Sequence, residues 1–214
     1  MKITVGAPKG GAGKTTTAGH LAICMSTTGR TLGVDSDPEQ PSLMKWANRA
    51  DDWPVDRCNV VREASRNLAR NIAPMLGDYD NVVFDIGAKN PVLLRQAMSM
   101  SDILVIPCKA TDGDLMEVQD VFEIAAEVDA VHPIRPVVVL TMIRNGTNEE
   151  KDARAYLEEM ELPVFNTSIP VLRGYGQMRW TPDVNDGGEY VQLFQELQAM
   201  QRQIDAAGVA GEFA

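Results

Sequence analysis

Short apolar runs rich in β-branched residues alternate along the chain with longer amphipathic segments. This alternation is typical of β–α–β units, in which helices cover both faces of a parallel sheet. The sequence predicts strands at 2–7, 31–35, 59–62, 81–86, 102–107, 136–142 and 163–169. It predicts helices at about 14–28, 40–49, 65–76, 91–100, 113–131, 148–160 and 189–206. We therefore expect an α/β fold with a doubly wound, mainly parallel sheet.

The composition favours a single globular domain. The chain has 214 residues, of which 44% are hydrophobic, and one α/β domain commonly reaches this length. We expect the domain to cover residues 1–206 and a flexible tail to cover 207–214, because the tail is small and weakly apolar. The three cysteines are scattered, and we find neither a signal sequence nor an apolar run of membrane length, so we expect a cytoplasmic location.

Acidic residues outnumber basic ones, and the formal net charge is −10. Proteins that bind nucleic acid usually carry a basic face, because neutralising phosphates releases counterions. Residues 110–134 contain seven acidic side chains and no lysine or arginine, which is typical of a solvated helix face. Any DNA-binding surface must therefore be local and must lie elsewhere on the chain.

The clearest chemical signal lies near the N-terminus, in the segment ITVGAPKGGAGKTTTAG, residues 3–19. A predicted strand runs into a glycine-rich loop and a predicted helix follows, which is the context of a phosphate-binding loop. Glycines allow backbone N–H groups to approach phosphate oxygens, and the helix N-terminus adds its dipole. The glycines concerned are Gly10, Gly11 and Gly13.

The polar residues in and after this loop have different expected roles in binding a nucleotide. Lys14 supplies charge to the β- and γ-phosphates, the Thr15 hydroxyl can bind Mg²⁺, and Thr16 is the next candidate for a phosphate contact. The common form of the motif has a glycine where this chain has Pro8, and a second lysine, Lys9, follows it. Pro8 stiffens the exit from the strand. Lys9 is the departure that needs a functional explanation.

The segment KGGAGKTT resembles the deviant Walker A box, K-G-G-x-G-K-[ST]-[ST], of the ParA/MinD superfamily. In that superfamily the first lysine reaches across an ATP-sandwiched dimer to the partner's nucleotide, much as an arginine finger does. The resemblance implies this role for Lys9, a P-loop NTPase fold of the deviant Walker type, and ATP or ADP with Mg²⁺ as cofactors. The implied nucleotide-binding residues are Lys9, Gly10, Gly11, Ala12, Gly13, Lys14, Thr15 and Thr16.

Two carboxylate motifs extend the resemblance. LGVDSDPEQ is similar to the family segment hhDxDPQ, although Glu39 stands where the family has glutamine. It implies that Asp37 orients or activates the attacking water and that Asp35 helps to hold the water shell of Mg²⁺. NVVFD resembles a Walker B strand, whose aspartate, here Asp85, contacts Mg²⁺ through water. The implied catalytic residues are Lys9, Lys14 and Asp37, and the implied metal site is Thr15, Asp35 and Asp85. Outside this context, Asp-x-Asp-Pro is also the pattern of an ordinary Asx turn.

Looser similarities lie in the second half of the chain. They imply that Met142 and Pro170 contact the adenine, and that Arg173 contacts DNA. Arg144 and Arg179 are weaker candidates for DNA contacts. For each arginine, a surface ion pair with a nearby acidic residue is an equally good interpretation.

Within the superfamily the chain most resembles the small ParF-type plasmid ParA proteins. The predicted helix at 189–206 has Arg202 as its only basic residue, which argues against the basic membrane helix of MinD. The resemblance implies a homodimer that sandwiches ATP, binds DNA without sequence preference, and is nucleoid-associated when ATP-bound. It implies a small centromere-binding activator of the ParB or ParG kind, which stimulates slow hydrolysis, and no membrane partner. Two alternatives remain open: a MinD-like positioning regulator, and a P-loop small-molecule ligase similar to dethiobiotin synthetase.

Overall fold

A parallel sheet forms the centre of the molecule. The computed structural model describes residues 1–88, 90–144, 147–171 and 188–211. Within these ranges the sheet has seven strands in the order β3-β2-β4-β1-β5-β6-β7, and every neighbouring pair is parallel. The strands are β1 (Lys2–Val5), β2 (Thr31–Ser36), β3 (Cys58–Arg62), β4 (Asn81–Ile86), β5 (Ile103–Lys109), β6 (Arg135–Ile143) and β7 (Ile169–Pro170).

Helices cover both faces of this sheet, as the alternating pattern predicts. They are α1 (Lys14–Ser26), α2 (Ser42–Ala47), α3 (Leu68–Ile72), α4 (Pro91–Met98), α5 (Asp112–Met116), α6 (Val118–Asp129), α7 (Glu149–Glu159) and α8 (Glu189–Gly211), with a 3₁₀ helix at Ala73–Asp78. One apolar layer joins the sheet to α1, α2 and α8, and the other joins it to the helices from α3 to α7. Each fully buried aliphatic side chain in these layers contributes about 1.5–3 kcal/mol. No helix of the described ranges is long and apolar enough to span a bilayer.

The strand order determines where a ligand can bind. β1 lies between β4 and β5: the chain runs from β1 to β2 and β3 on one side, returns to β4 beside β1, and then crosses to β5, β6 and β7 on the other side. In open α/β sheets, ligands bind beyond the carboxyl ends of the strands at such a switch point. The loop after β1 and the ends of β2 and β4 meet there, because Asp35 and Asp85 are in register on adjacent strands.

The predicted helix at 113–131 is in fact two helices, α5 and α6. In a continuous helix, the Glu117 N–H would bond to the carbonyl of Gly113, but it bonds to the carbonyl of Leu115. The Gly113 carbonyl instead accepts a hydrogen bond of 2.6 Å from Lys9 Nζ. A side chain of the glycine-rich loop therefore satisfies the carbonyl at the helix break.

The strand predicted at 163–169 is also shorter than expected. The chain makes one isolated bridge at Val164 and then joins the sheet only at β7. Between Val164 and β7, the backbone groups form hydrogen bonds with side chains instead of with a neighbouring strand. Arg154 donates to the carbonyls of Phe165 and Asn166, and Glu196 accepts from the N–H groups of Asn166 and Thr167. At the other end of the chain, α8 continues to Gly211, beyond the predicted helix end at 206.

Candidate functional site

The loop between β1 and α1 forms one wall of a cleft of about 670 Å³. Gly11 and Gly13 line it with φ angles of +77° and +84°, a backbone conformation that residues with a Cβ rarely adopt. α1 begins at Lys14, and its first residues also line the cleft, so the helix dipole favours an anion there. The other lining residues are Gly10, Asp37, Pro38, Glu39, Gln40, Ser42, Ala88, Asn90 and Met142.

Lys14 is a largely buried cation at the base of this cleft. Its Nζ donates a hydrogen bond of 2.8 Å to the carbonyl of Lys9, which ties the side chain to the loop. Burial lowers the pKa of Lys14, and the nearby carboxylates of Asp85 and Asp37 oppose this shift. A phosphate in the cleft would supply the additional negative charge that a buried ammonium group needs.

Asp85 is the next-to-last residue of the apolar strand β4 and is 2% exposed. Burial raises the pKa of its carboxyl group to about 7, although a hydrogen bond with the Thr15 side chain opposes the shift. Its Oδ2 atom is buried and has no hydrogen-bond partner among the described residues. A buried carboxylate oxygen without a partner is destabilising unless a ligand group satisfies it.

The pair of Thr15 and Asp85 fits a magnesium ion. A hydroxyl and a carboxylate are hard oxygen donors, and Mg²⁺ normally takes one or two protein oxygens together with substrate phosphates and water. The described part of the chain contains no cluster of three or more His, Cys, Asp or Glu residues arranged to hold a metal. Two protein oxygens of this kind fit an ion whose remaining ligands come from phosphate and water.

Asp35 and Asp37 have different surroundings. Asp35 is fully buried at the end of β2, and its two oxygens accept from the N–H groups of Asp37 and Met44. These bonds hold the turn and the start of α2, and burial raises the pKa of Asp35 despite them. Asp37 lines the cleft, and its Oδ1 accepts from the N–H groups of Glu39 and Gln40. The metal role predicted for Asp35 and the catalytic role predicted for Asp37 stay predictions.

Lys9 lies outside the set of described residues that line the cleft. Its Nζ is 2.9 Å from Glu117 Oε1 and also donates to the carbonyl of Gly113. The side chain thus crosses from the loop to the segment that follows β5. Two lysines of one short loop therefore point to two different places: Lys14 to the cleft, and Lys9 away from it.

The structure separates the residues expected to contact adenine or DNA. Met142 is exposed, has a positive φ of 56°, and lines the cleft, whereas Pro170 is not among the described residues that line it. Arg144 is exposed directly after β6. Arg173 and Arg179 lie outside the described residues. These assignments all stay predictions.

Sequence reasoning missed two residues that support the site. The Thr141 hydroxyl, buried within β6, has one proton to donate and lies 2.9 Å from the carbonyl oxygen of Ala12 and 3.2 Å from that of Cys108, so it links β6 to the loop. Its signal was a polar residue in the apolar run PVVVLTM. Asn90 lines the cleft, and its side chain accepts from the N–H of Leu93 as the cap of α4.

A parallel sheet whose central strand leads through a glycine-rich loop into a helix defines the class of P-loop nucleotide-binding proteins. The model of the CbiA family, the CobQ/CobB/MinD/ParA nucleotide-binding domain, matches residues 3–189, and the chain belongs to this family. The prediction of a ParA/MinD-type protein with a doubly wound sheet is thereby confirmed.

Two relatives with similar sequences are a protein named for the distribution of carboxysomes and a protein named ParA. The chain is 29% identical over 175 residues to the maintenance of carboxysome distribution protein A of Gloeobacter kilaueensis, covering 78% of this chain and 75% of that one. It is 30% identical over 145 residues to Protein ParA of Rhizobium radiobacter, covering 66% and 64% respectively.

Solved structures extend the similarity of fold. The chain superposes on cobyrinic acid a,c-diamide synthase of Mycobacterium smegmatis, determined with an ATP analogue and magnesium, with a TM-score of 0.75. The two are 18% identical, and the match covers 96% of each chain. At 18% identity, this similarity supports a shared fold and carries no statement about activity.

Proposed function

We propose that this chain is a ParA-type ATPase that dimerises around ATP and uses slow hydrolysis to segregate or position a cargo. The observation that carries the proposal is the location of Lys9. It belongs to the phosphate loop, yet it lies outside the residues that line the cleft of its own chain. A lysine so placed is available to the nucleotide of a second copy, which is the role that the deviant Walker A motif implies.

The two relatives with similar sequences favour positioning over small-molecule synthesis. One is named for carboxysome distribution and the other as ParA, at 29% and 30% identity. The synthase shares the fold at 18% identity, so it adds no argument about substrate. ParF-type plasmid partition is the narrower form of the proposal.

The cleft residues have distinct parts in the proposed reaction. The loop N–H groups and Lys14 bind the phosphates, and Asp37 orients the attacking water from the opposite wall. When bound, Mg²⁺ neutralises charge that develops on the phosphate oxygens. Thr15 and Asp85 would hold this ion, and Asp35 fixes the turn that presents Asp37.

DNA binding by the ATP-bound dimer is a further part of the proposal. With a formal net charge of −10, binding requires a local cluster of basic side chains. Arg144, Arg173 and Arg179 are the proposed contacts, and two copies in a dimer would double their number. A small protein partner of the ParB or ParG kind is proposed to stimulate hydrolysis.

Sedimentation velocity with MgATP and MgADP tests the proposal. In an Asp37→Ala background, which should preserve ATP, the protein should dimerise with MgATP and remain monomeric with MgADP. Lys9→Ala should abolish this dimer while retaining MgADP affinity, and Lys45→Ala on the exposed face of α2 should have no effect. A Lys9→Ala protein that dimerises normally would refute the role in a second copy's site.

A gel shift on arbitrary duplex DNA at low salt tests the proposed DNA binding: the shift should be present with ATP and absent with ADP.

A further inference from the structure

A third lysine lies beside the phosphate loop, at the end of β5. A Cβ built on Gly11 would lie 3.5 Å from the Nζ of Lys109. Gly11 is exposed, and β5 is the direct parallel neighbour of the strand that leads into the loop. The sheet therefore places the backbone of Lys109 beside the loop, and its ammonium group lies next to Gly11.

The charge of Lys109 is not compensated within the described part of the chain. Its ammonium group makes no hydrogen bond and no ion pair there, although the residue is half-buried. Lys9, by contrast, is paired with Glu117. A partly desolvated ammonium group without a counter-charge is destabilising by itself, and it becomes favourable when an anion binds beside it.

The two lysines share one location. Lys9 Nζ lies against Gly113, and Lys109 Nζ lies against Gly11, so both occupy the space between the loop and the segment after β5. Neither belongs to the described residues that line the cleft with Lys14. Lys109 is therefore placed to meet an anion that approaches from outside the chain's own cleft.

We propose that Lys109 is a further phosphate-binding residue, which adds a second ammonium group beside Lys9 to a nucleotide site completed by two copies of the chain. This inference rests on the proposed function, because it requires the phosphates of a second copy to reach this side of the loop. Lys109 acts there by binding a phosphate oxygen, and it transfers no proton. Until the copies meet, its unpaired charge attracts the negatively charged nucleotide of the approaching chain.

Two substitutions at Lys109 and one elsewhere test the inference in the Asp37→Ala background. Lys109→Gln removes the charge, Lys109→Arg retains it, and Lys151→Gln removes an equal charge from the exposed face of α7. Sedimentation velocity with MgATP measures self-association, a fluorescent ADP analogue with Mg²⁺ measures binding to the monomer, and urea unfolding measures stability. Lys109→Gln should weaken self-association about tenfold or more, the effect of one lost charge-assisted hydrogen bond. Its MgADP affinity and unfolding midpoint should be unchanged, and the other two variants should associate like the parent.

Two results would overturn the inference about Lys109 and leave the proposed function intact. Lys109→Gln could associate as strongly as Lys151→Gln, which would leave no phosphate role. It could instead lose MgADP affinity as much as self-association, which would place Lys109 at its own chain's nucleotide. Failure of the proposed function looks different: the parent protein then stays monomeric with MgATP, or Lys9→Ala dimerises normally, and the inference fails with it.

Discussion

Lys9 and Glu117 form an ion pair within one chain, with Nζ 2.9 Å from Oε1. The same Nζ donates to the carbonyl of Gly113 at 2.6 Å. Both partners lie in the segment after β5, so the pair ties the phosphate loop to α5. If Lys9 binds the nucleotide of a second copy, these two contacts must be exchanged for phosphate oxygens. Because both side chains are more than a third exposed, the ion pair contributes about 1 kcal/mol or less.

Glu117→Gln should therefore favour the dimer. The substitution removes the charge that competes with phosphate for Lys9, and we expect ATP-dependent association to tighten by about two- to fivefold. The urea unfolding midpoint should change little. Glu123→Gln, on the exposed face of α6, is the matched control for the loss of one negative charge. An association weakened as strongly as in Lys9→Ala would mean instead that Glu117 holds Lys9 in its productive position.

Asp85→Asn should stabilise the folded chain and weaken magnesium-dependent ATP binding. Burial raises the pKa of Asp85 to about 7, so its carboxyl group binds a proton more tightly in the folded than in the unfolded chain. The resulting loss of stability grows as pH rises from the unfolded value of about 3.8 and is complete above about 7. An asparagine carries no such charge, and we expect it to raise the free energy of unfolding at pH 8 by about 1–3 kcal/mol.

The same Asp85→Asn protein should lose the magnesium dependence of ATP binding. Isothermal titration calorimetry with ATP, with and without Mg²⁺, measures this, and urea unfolding at pH 8 measures the stability. Asp51→Asn, an exposed aspartate, controls for the loss of one negative charge. A less stable Asp85→Asn protein would show that the carboxylate is satisfied in the free chain and that its burial is not the dominant effect.

Motifs with local geometry were predictable from the sequence, and contacts between distant segments were not. The glycine-rich loop and the strand ending in Asp85 follow from adjacent residues, because backbone conformation and strand position are local properties. The ion pair of Lys9 with Glu117 joins positions more than a hundred residues apart, and no periodicity encodes it. The accompanying bond from Lys9 to the Gly113 carbonyl lies where the amphipathic pattern at 113–131 divides into two helices.

The position of Lys109 in the candidate site was likewise not predictable from the sequence. In the sequence it is a lysine after an apolar strand, a position where a solvated side chain is the ordinary interpretation. Only the pairing of β5 with β1 brings it to Gly11. Thr141 likewise reaches the loop from β6, through a strand that does not contact β1 directly. The contacts of Lys109 and Thr141 with the loop therefore depend on the order of strands in the sheet, which local sequence motifs do not encode.

His20 should make the protein less stable in mild acid. It is 1% exposed, and its ring stacks on Tyr190 at 4.3 Å and lies 5.0 Å from Trp46. Burial lowers the pKa of His20 to about 4, although a hydrogen bond to the Thr16 carbonyl opposes the shift. The unfolded chain therefore binds the proton more tightly, and stability falls as pH drops from about 6.5 to about 4. The full loss is about 3 kcal/mol.

Urea unfolding between pH 7.5 and 4.5 measures this dependence through tryptophan fluorescence. His20→Gln should flatten the profile by removing one titrating group. Equal profiles for the parent and His20→Gln would show that other groups account for the acid sensitivity.

Two glycines in long helices should respond in opposite directions to the same substitution. A Cβ on Gly19, in α1, would overlap the ring of Trp46, which is 1% exposed and has no space to move. Alanine gains about 1 kcal/mol in helix propensity, but overpacking in a core costs about 1–3 kcal/mol. We expect Gly19→Ala to lower the free energy of unfolding and to alter tryptophan fluorescence.

Gly208, in α8, is the matched control, because nothing lies within 4 Å of a Cβ built there. Gly208→Ala should raise the free energy of unfolding slightly, by about 0.5 kcal/mol, since only the propensity gain remains. A neutral Gly19→Ala would mean that α1 and α2 can separate by the width of a methyl group. In that case the contact would not fix the spacing between the helix that follows the phosphate loop and the helix that follows Asp37. The two positions together thus measure how rigidly the core supports the cleft.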